Sequence, residues 1–380
     1  MKKRANGEGS VIKLGDGRWQ ARCFVNTVDG RKRKSFYGKT KAEALRKMRV
    51  VQNSSDNGLV INTENPTIKA FLSTWLAGKK GTVKPTTFDS YSYLAKNHIM
   101  PVLGNKKIRS LQPVHVQELY SSKRVSGVSG RLIQLIHITL HSALEQAVAW
   151  KMVPENVTKF VNSPRATKHE IKALTAEQAR VLIRTSSGSR FEALFVLAIH
   201  CGLRKGELLG LRWSDVDFES GELTVRQQLV RSTEGLAFST PKNGKGRNVL
   251  MSTIAKNTLT SHRVKLAQEK LLARDSWSHP NLVFPSVTGT PMSPENLISR
   301  IFKPLLKKAG LPNIRFHDLR HTCATLLLSK GEHPKIVQER LGHASIAITL
   351  DTYSHVLPSM QKGASALMDE IFADTDAESA

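Results

Sequence analysis

The sequence predicts a mainly α-helical protein with small β-sheets, of the α+β class. Apolar and polar residues alternate in three short runs within residues 9–40, which is the period of half-buried strands. From residue 67 to about 162 the apolar residues recur at the helical period, and after residue 173 helices alternate with one β segment near 222–251. A chain of 380 residues is long enough for two or three domains with proper cores.

The first predicted domain, residues 1–55, is a three-stranded antiparallel sheet with one helix. Asp16-Gly17 and Asp29-Gly30 lie at the two breaks between the strand-like runs, and Asp-Gly is a strong hairpin signal. The stretch 39–52 then has helical periodicity, and Thr40 is its expected N-cap.

Positive charge is the strongest compositional signal. The chain has 57 Lys and Arg against 31 Asp and Glu, a net charge of +26, which favours nucleic acid as a partner and, second, an anionic membrane. The first fifty residues hold fifteen basic and four acidic side chains. A charge run is usually a solvated face, but this density favours DNA contact. The candidate DNA-binding residues, on the open face of the sheet or its rim, are Arg18, Arg22, Arg31, Lys32, Arg33 and Lys34.

A second domain, residues 67–162, is predicted between polar linkers at 53–66 and 162–172. It reads as a bundle of about four helices. A helix begins at Pro85, and a Pro and a Gly in "HIMPVLGNKKI" are expected to end it. The apolar stripes at helical spacing contain Phe71, Trp75, Leu76, Leu132, Leu135, Ile136, Leu140 and Leu144.

The third predicted domain, residues 173–357, is mainly helical with a small sheet. Thr175 and Gln178 have the spacing of a capping box at the start of its first helix. An acidic tail follows at residues 358–380. Its apolar residues at helical spacing are Leu367, Met368, Ile371 and Phe372.

Several function classes are disfavoured. The cysteines Cys23, Cys201 and Cys323 are far apart and form no CxxC pattern, which indicates a reducing cytosol, buried packing and no structural zinc. Asp215-Val216-Asp217 has no supporting carboxylates for a metal site and reads as a turn. No apolar run approaches the roughly 18–20 residues of a membrane span. We expect no metal, no cofactor and no membrane association.

Four short stretches of the third domain carry polar residues that do not fit a core. In "CGLRKGELLG", Gly202 breaks one helix and Arg204 begins the next, where free N–H groups and positive potential favour a phosphate. Glu207, one turn later, can hold the Arg204 guanidinium. Taken alone, a surface Arg–Glu ion pair is the better explanation of the two residues.

The second stretch is "FSTPKNGKGRNVLM". Strand-like runs flank Asn243-Gly244, a type I′ hairpin signature, which places Lys242 at the tip of a β-hairpin. A lysine there can reach a substrate and donate a proton, or merely contact backbone phosphate. Lys245 competes for the same role.

The third and fourth stretches contain histidines, an arginine and a tyrosine. His317 and Arg320 are three residues apart and share a helix face, whereas the adjacency of His321 to Arg320 has no clear meaning in sequence. In "LGHASIAITLDTYSHV", Tyr353 follows His343 by ten positions. The tyrosine is either a half-buried aromatic on a short helix or a nucleophile with a histidine placed to assist it.

This inventory fits breakage and rejoining of nucleic acid strands. Attack on a phosphodiester builds negative charge on phosphorus, and arginine forks bind the non-bridging oxygens without losing their charge. A phenol with a pKa near 10 needs a neighbour to take its proton, but the ester it forms retains the bond energy. Rejoining then requires neither ATP nor a metal, and the chain has no GxxxxGK[ST] loop.

The sequence resembles the tyrosine recombinase (phage integrase) family over almost its whole length. The resemblance is carried by "CGLRKGE" with "LRWSDVD", by Lys242, by "HDLRH" and by "LGHASIAITLDTYSH" at 341–355. It implies that Arg204 and Arg320 clamp the scissile phosphate and that His343 hydrogen-bonds it, with Glu207 in the supporting acidic position.

The same resemblance implies the remaining roles. Lys242 would protonate the departing 5′ oxygen, His317 would assist proton transfer or orient the site, and Tyr353 would attack to give a 3′-phosphotyrosyl link. Residues 67–162 and 173–357 would form a C-shaped clamp around core DNA, while residues 1–55 would bind separate arm sites.

The expected partners are therefore double-stranded DNA with core and arm attachment sites, three further copies in a homotetramer, an excisionase and a host DNA-bending protein. The expected location is the bacterial cytoplasm. The tail would dock on a neighbouring protomer or on its own domain. Two alternatives are a resolvase-type recombinase or topoisomerase-like relaxase, against which the arm-type module argues, and a DNA-binding regulator of the same fold that does not cleave.

Overall fold

The structure is a computed structural model that describes residues 9–27, 30–56, 65–163, 171–241, 244, 246–278, 281–354, 365 and 367–372. The chain divides into two compact units, residues 1–168 and 169–380. Helices dominate both, and every β-ladder is antiparallel. The predicted fold class is confirmed.

The first unit begins with the predicted three-stranded sheet. Strands β1 (Ser10–Lys13), β2 (Trp19–Thr27) and β3 (Gly30–Gly38) pair in that order, and helix α1 (Lys41–Asp56) packs on one face. Thr40 Oγ1 accepts a hydrogen bond from the Glu43 backbone N–H at 3.2 Å, so the predicted cap is confirmed. Because α1 continues to Asp56, the first residues of the predicted linker are helical. The buried core comprises Ala21, Cys23, Val25, Ala44 and Met48.

A helical bundle with its own core forms the rest of the first unit. Its helices are α2 (Ile68–Lys79), α3 (Pro85–Leu94), α4 (Met100–Leu103), α5 (Pro113–Val125) and α6 (Gly130–Ala149), with 3₁₀ turns at Ile108–Ser110 and Val157–Phe160. The helix ends at Gly104, as expected, but the expected break at Pro101 is wrong. A π-helical turn, Ala95–Ile99, joins α3 directly to α4, so Pro101 follows a turn in which the regular hydrogen-bond ladder is already interrupted.

The second unit packs around helix α8 (Glu192–His200). Residues 193–199 of α8 are all buried, as expected for a helix that is apolar on every side. The surrounding helices are α7 (Ala176–Ser186), α9 (Lys205–Leu209), α10 (Thr253–Ala273), α11 (Pro294–Asn296), α12 (Lys303–Lys308), α13 (Asp318–Ser329), α14 (Pro334–Leu341) and α15 (Ile346–Tyr353), with a π-helical segment at Leu297–Phe302. Thr175 and Gln178 form the predicted capping box at the start of α7.

Two small ladders make up the predicted β segment. Strands β4 (Glu222–Val225) and β7 (Arg247–Leu250) pair with each other, and β5 (Gln228–Ser232) pairs with β6 (Gly235–Ser239). The predicted hairpin at Asn243-Gly244 is therefore wrong, because the strands on its two sides belong to different ladders. Lys242, Asn243 and Lys245 lie outside the described residues.

The helices of the described part of the chain include none with the length and hydropathy needed to cross a lipid bilayer.

Candidate functional site

Arg204 is held at the start of α9 by a buried carboxylate. Its backbone N–H donates to Glu207 Oε2 at 2.8 Å and its Nη1 donates to Oε1 at 2.8 Å. Gly202, at φ +63°, allows the sharp turn between α8 and α9. The predicted Arg204–Glu207 contact is confirmed. Glu207 caps the Arg204 backbone N–H, while Arg204 itself lines a cleft; that this helix start binds a phosphate stays a prediction.

A second arginine, which the sequence did not single out, holds Glu207 from the other side. Arg247 on β7 donates Nη1 to Oε1 at 3.0 Å and Nη2 to Oε2 at 2.8 Å. Burial by itself would raise the pKa of Glu207. The hydrogen bonds and charge of Arg247, with those of Arg204, outweigh burial and lower that pKa to about 2. Only the tertiary structure brings residue 247 to residue 207.

The carboxyl end of α14 gathers three arginines. The carbonyl of Arg340 accepts from Arg247 Nε at 2.9 Å. The next carbonyl, of Leu341, accepts from Arg320 Nη2, and that of Gly342 accepts from Arg204 Nη2 at 3.4 Å. These carbonyls have no partner within the helix and carry the negative end of its dipole, so cations are stabilised there. Gly342 ends α14 in the left-handed region at φ +65°.

Arg320 is almost fully buried, with 2% of its surface exposed. Its Nη1 donates to the Gly202 carbonyl at 2.9 Å, which ties α13 to the turn before Arg204. Burial and the charges of Arg204 and Arg247 lower the pKa of Arg320 to about 9. That value is above neutral pH, so the guanidinium stays charged, as the resemblance requires.

His343 follows the same helix end. Its Nδ1 lies 2.9 Å from Thr349 Oγ1, and its carbonyl accepts from Gln338 Nε2 at 2.6 Å. Burial, then the charges of Arg320 and Arg204, lower the pKa of His343 to about 3, so the ring is neutral near pH 7. A neutral imidazole can donate one hydrogen bond to an anion and accept another.

A cleft of about 540 Å³ opens beside these residues. Arg204, Arg247 and His343 line it, as do Pro241 and Gly246, which flank the segment that contains Lys242 and Lys245. The positive charge that lines the cleft suits an anionic group.

Tyr353 ends α15 with 0% of its surface exposed and packs against Ala324, Leu328 and Leu341. Its hydroxyl lies 2.8 Å from Nδ1 of His321 on α13. Burial raises the pKa of Tyr353, partly offset by the charge of Arg320. The aromatic side chain is fully buried, not half-buried, and the histidine at its hydroxyl is His321, whose place in the sequence had no clear meaning.

His317 lies at the N-terminus of α13, on the other side of His321. The two imidazole rings are perpendicular, with centroids 5.0 Å apart. Although His317 is exposed overall, partial desolvation and the neighbouring charges, chiefly His321 and Arg320, lower its pKa to about 4. His317 is the N-cap residue of α13, and its carbonyl accepts a hydrogen bond of 3.1 Å from the Arg320 backbone N–H. That the two side chains share a helix face stays a prediction.

The basic residues of the N-terminal sheet divide between its two faces. Side chains of directly paired residues point to the same side. Arg33 pairs with the exposed Phe24, on the face away from α1, whereas Lys32 and Lys34 pair with the buried Val25 and Cys23.

The other predicted basic residues are at different places in the sheet. Arg22 shares the open face with Arg33, and Arg18, in the turn before β2, forms an ion pair with Asp16 at 2.6 Å. Arg31 lies on β3, paired with Asn26. Sequence reasoning had assigned all six basic residues to one open face or its rim.

The residues disfavoured as metal ligands have other partners. Asp215 is buried in a 3₁₀ turn, Trp213–Asp215, and pairs with Arg212 at 2.8 Å. All three cysteines lie in the described ranges, where each is buried and none forms a disulfide bond. Within the described ranges, no three His, Cys, Asp or Glu side chains are grouped as metal ligands would be.

Comparison with known proteins agrees with this arrangement. Residues 164–360 match the model of the phage integrase family, and residues 67–124 match that of the phage integrase N-terminal SAM-like domain. A tyrosine recombinase XerC-like protein of Caldanaerobacter subterraneus is 31% identical over 90% of this chain and 92% of its own. The ICEBs1 integrase of Bacillus subtilis is 26% identical over 95% of this chain and 100% of its own.

Among solved structures, the Tn1549 transposon integrase in complex with a circular intermediate DNA has a TM-score of 0.66 at 24% identity, covering 80% of this chain and 99% of that one. The lambda integrase tetramer bound to a Holliday junction has a TM-score of 0.55 at 18% identity, covering 92% of this chain and 96% of that one. The family match over more than half of the chain and the relative at 31% identity establish that this protein belongs to the phage integrase family, the tyrosine recombinases that break and rejoin DNA.

Proposed function

We propose that this chain is the integrase of a phage or other mobile element, which recombines specific DNA sites through a 3′-phosphotyrosyl intermediate on Tyr353. One observation carries the proposal. Arg204 and the end of α14, up to 138 positions apart in sequence, meet at a cationic cleft, and Tyr353 packs against α14. The relatives named integrase add support.

In the proposed reaction the scissile phosphate enters the cleft at Arg204 and His343. Arg320, which is buried at the same end of α14, would complete the clamp. The Tyr353 oxygen forms a bond to phosphorus and loses its proton, and the bond from phosphorus to the 5′ oxygen breaks. Two guanidinium groups neutralise the charge that develops on the non-bridging oxygens, which is the largest contribution expected at such a site. Neutral His343 donates a further hydrogen bond.

The departing 5′ oxygen takes a proton from a lysine, for which Lys242 is the candidate and Lys245 the rival. Pro241 and Gly246, which flank these lysines in the sequence, line the cleft, and this supports both candidates. His317 would assist proton transfer or orient the site. Reversal of these steps, with a new 5′ hydroxyl as nucleophile, rejoins the strands without net change in the number of phosphoester bonds.

The covalent intermediate is directly testable. With a suicide substrate, whose cleaved end diffuses away, the wild-type chain should accumulate a covalent protein–DNA adduct and Tyr353→Phe should form none. Adduct formation by the Phe variant would mean that another residue attacks. A wild-type chain that binds DNA without any adduct would instead support the regulator that does not cleave.

The proton donor is tested by a matched pair of variants. Lys242→Ala should slow cleavage on the order of 10²-fold or more and leave DNA binding nearly unchanged, since general acid catalysis contributes that much. Lys245→Ala should cleave normally. If the effects are exchanged between the two variants, Lys245 is the donor.

We further propose four regions: an arm-binding domain at 1–55, a core-binding domain at 67–162, a catalytic domain at 173–357 and a tail at 358–380. Deletion of residues 1–55 should abolish arm-site binding and spare core cleavage, and loss of both would refute this division. On the open face of the sheet, Arg33→Ala should weaken arm binding and reduce the salt dependence by about one phosphate contact. If it does not, the open face does not bind DNA.

The proposed assembly is a homotetramer on two DNA duplexes in the bacterial cytoplasm, aided by an excisionase and a host DNA-bending protein. The tail is the proposed contact between protomers, because its helical residues Leu367, Met368, Ile371 and Phe372 are 54–63% exposed in the single chain. A resolvase-type recombinase remains the second candidate, since one relative is named tyrosine recombinase XerC-like. Recombination that proceeds normally without arm sites would favour it.

A further inference from the structure

The Tyr353 hydroxyl is held in the interior by His321, a residue to which the proposed reaction gives no task. The hydroxyl lies 2.8 Å from His321 Nδ1, and the tyrosine side chain is 0% exposed. A nucleophile must come within about 3–3.5 Å of the atom it attacks. Because this side chain has no exposed surface, either Tyr353 or the side chains that cover it must move before a DNA phosphate can approach the hydroxyl.

The phenol in this hydrogen bond is protonated. Burial raises the pKa of Tyr353, so the phenol keeps its proton at neutral pH. A hydrogen bond from this O–H to His321 Nδ1 requires the neutral imidazole tautomer with its proton on Nε2. Breaking this bond without replacement leaves a buried hydroxyl unsatisfied, which is unfavourable.

The chain contains a second tyrosine–histidine pair with nearly the same geometry. Tyr120 on α5 lies 2.8 Å from His137 Nδ1 on α6, with ring centroids 5.9 Å apart at 61°, against 5.7 Å and 60° for Tyr353 and His321. Tyr120 is 1% exposed and takes no part in the proposed reaction. The pair at Tyr120 is thus a built-in reference for what such a bond does to a buried phenol.

Resting on the proposed role of Tyr353 as nucleophile, we propose that His321 is a positioning residue that stabilises the buried, unreactive position of Tyr353. It acts through the tyrosine and does not touch the phosphate. Because only the released tyrosine can attack, the apparent rate of cleavage is proportional to the fraction of molecules in which Tyr353 is released. A typical hydrogen bond changes such an equilibrium about fivefold.

Two substitutions at the same position separate the hydrogen bond from the bulk of the ring. His321→Leu removes the acceptor and keeps an apolar side chain, whereas His321→Asn keeps an acceptor close to the place of Nδ1. The full-length, DNA-free chain is treated with tetranitromethane, and nitration of each of the five tyrosines is followed by mass spectrometry. Tyr93, 54% exposed, marks fast reaction, and Tyr120 marks the protected state.

We expect His321→Leu to raise the rate of nitration at Tyr353 about fivefold, with Tyr120 unchanged and His321→Asn equal to wild type. His137→Leu is the matched control and should expose Tyr120 alone. Buried Cys201 and Cys323 should stay unreactive to thiol reagents as long as the second unit is folded. If the Leu variant fails that check, His321→Met, which also lacks the acceptor, takes its place.

The second measurement is the rate of adduct formation with the suicide substrate at saturating DNA. His321→Leu should raise this rate by up to about fivefold, and His321→Asn should match wild type. Unchanged nitration at Tyr353 in the Leu variant would overturn the proposal. Slower adduct formation in both variants would also overturn it and would make His321 a base for the phenol. If Tyr353→Phe forms an adduct, the proposed function is refuted, because another residue then attacks the DNA. Nitration is measured without DNA, so it still decides whether His321 holds Tyr353.

Discussion

Replacement of Glu207 by glutamine tests the arginine cluster most directly. The carboxylate of Glu207 is 1% exposed and accepts four hydrogen bonds, two from Arg204 and two from Arg247. Glutamine has nearly the same shape but presents an N–H₂ group where one oxygen stood. Two donors then face a donor, and two guanidinium groups lose their counter-charge.

The expected loss of stability follows from the ionisation of this carboxylate. The pKa of Glu207 falls from an ordinary value of 4.5 to about 2, although burial opposes the change. Such a shift corresponds to about 3 kcal/mol of stabilisation of the charged form. Removal of one member of a buried ion pair costs roughly 3–5 kcal/mol, which agrees. For a unit of about 200 residues this lowers the Tm by roughly 6–12 °C.

Calorimetry of the DNA-free chain measures this effect, and Glu177→Gln is the matched control. Glu177 also pairs with two arginines, Arg180 and Arg184, but it is 60% exposed, so its replacement should change stability by less than about 0.5 kcal/mol. The adduct rate should fall in Glu207→Gln, because Arg204 loses its anchor, and should not fall in Glu177→Gln.

The pH dependence gives an independent check. A carboxylate whose pKa is lowered on folding contributes stability above about pH 4.5 and loses it as the pH falls toward about 2. The Tm difference between wild type and Glu207→Gln should therefore be constant from pH 7 to 5 and narrow below that. Equal stability of Glu207→Gln and Glu177→Gln at pH 7, or a difference that does not change down to pH 3, would refute this account of the cluster.

Three further predictions concern the end of α14, the contact of Arg247 with Glu207, and the buried thiols. Gly342→Ala should lower the free energy of unfolding by about 1–2 kcal/mol, because alanine is strained at φ +65°. It should also slow cleavage, because the new Cβ would lie 2.8 Å from Arg247 Cδ. Thermal unfolding measures the first effect and adduct formation the second. Arg247→Lys should bind DNA normally and cleave roughly tenfold to a hundredfold more slowly, because lysine cannot form the bidentate contact with Glu207; normal cleavage would contradict it. Thiol reagents should react only after unfolding with Cys23, Cys201 and Cys323, because all three are buried. Burial also raises the pKa of the Cys201 thiol to about 12. Fast reaction in the native state would contradict this packing.

Much of the fold followed from local signals. The three strands and one helix at the start came from alternation, turn residues and Thr40, all of which act within a few residues. The helices of the bundle came from apolar spacing. The errors were local too: Pro101 did not end a helix, because a π-helical turn carried the chain into α4, and no periodic pattern encodes such a turn.

Pairing between distant strands was less predictable. Asn243-Gly244 has the composition of a hairpin turn, yet β6 pairs backwards with β5 and β7 pairs with β4. Turn propensity reports only on its own four residues, whereas the partners of each strand are decided by which apolar side chains must be buried together.

The sequence by itself determined which residue types the site contains, because chemistry on a phosphodiester requires arginines, a lysine, histidines and a tyrosine, and these stood out in short polar stretches. Only the tertiary structure decided how they are held. The contact of Arg247 with Glu207, the three guanidinium groups on successive carbonyls at the end of α14, and His321 at the Tyr353 hydroxyl all join residues 21 to 138 positions apart. Such contacts are made by side chains and carbonyls that would otherwise be buried without partners, and that requirement arises only when the helices pack.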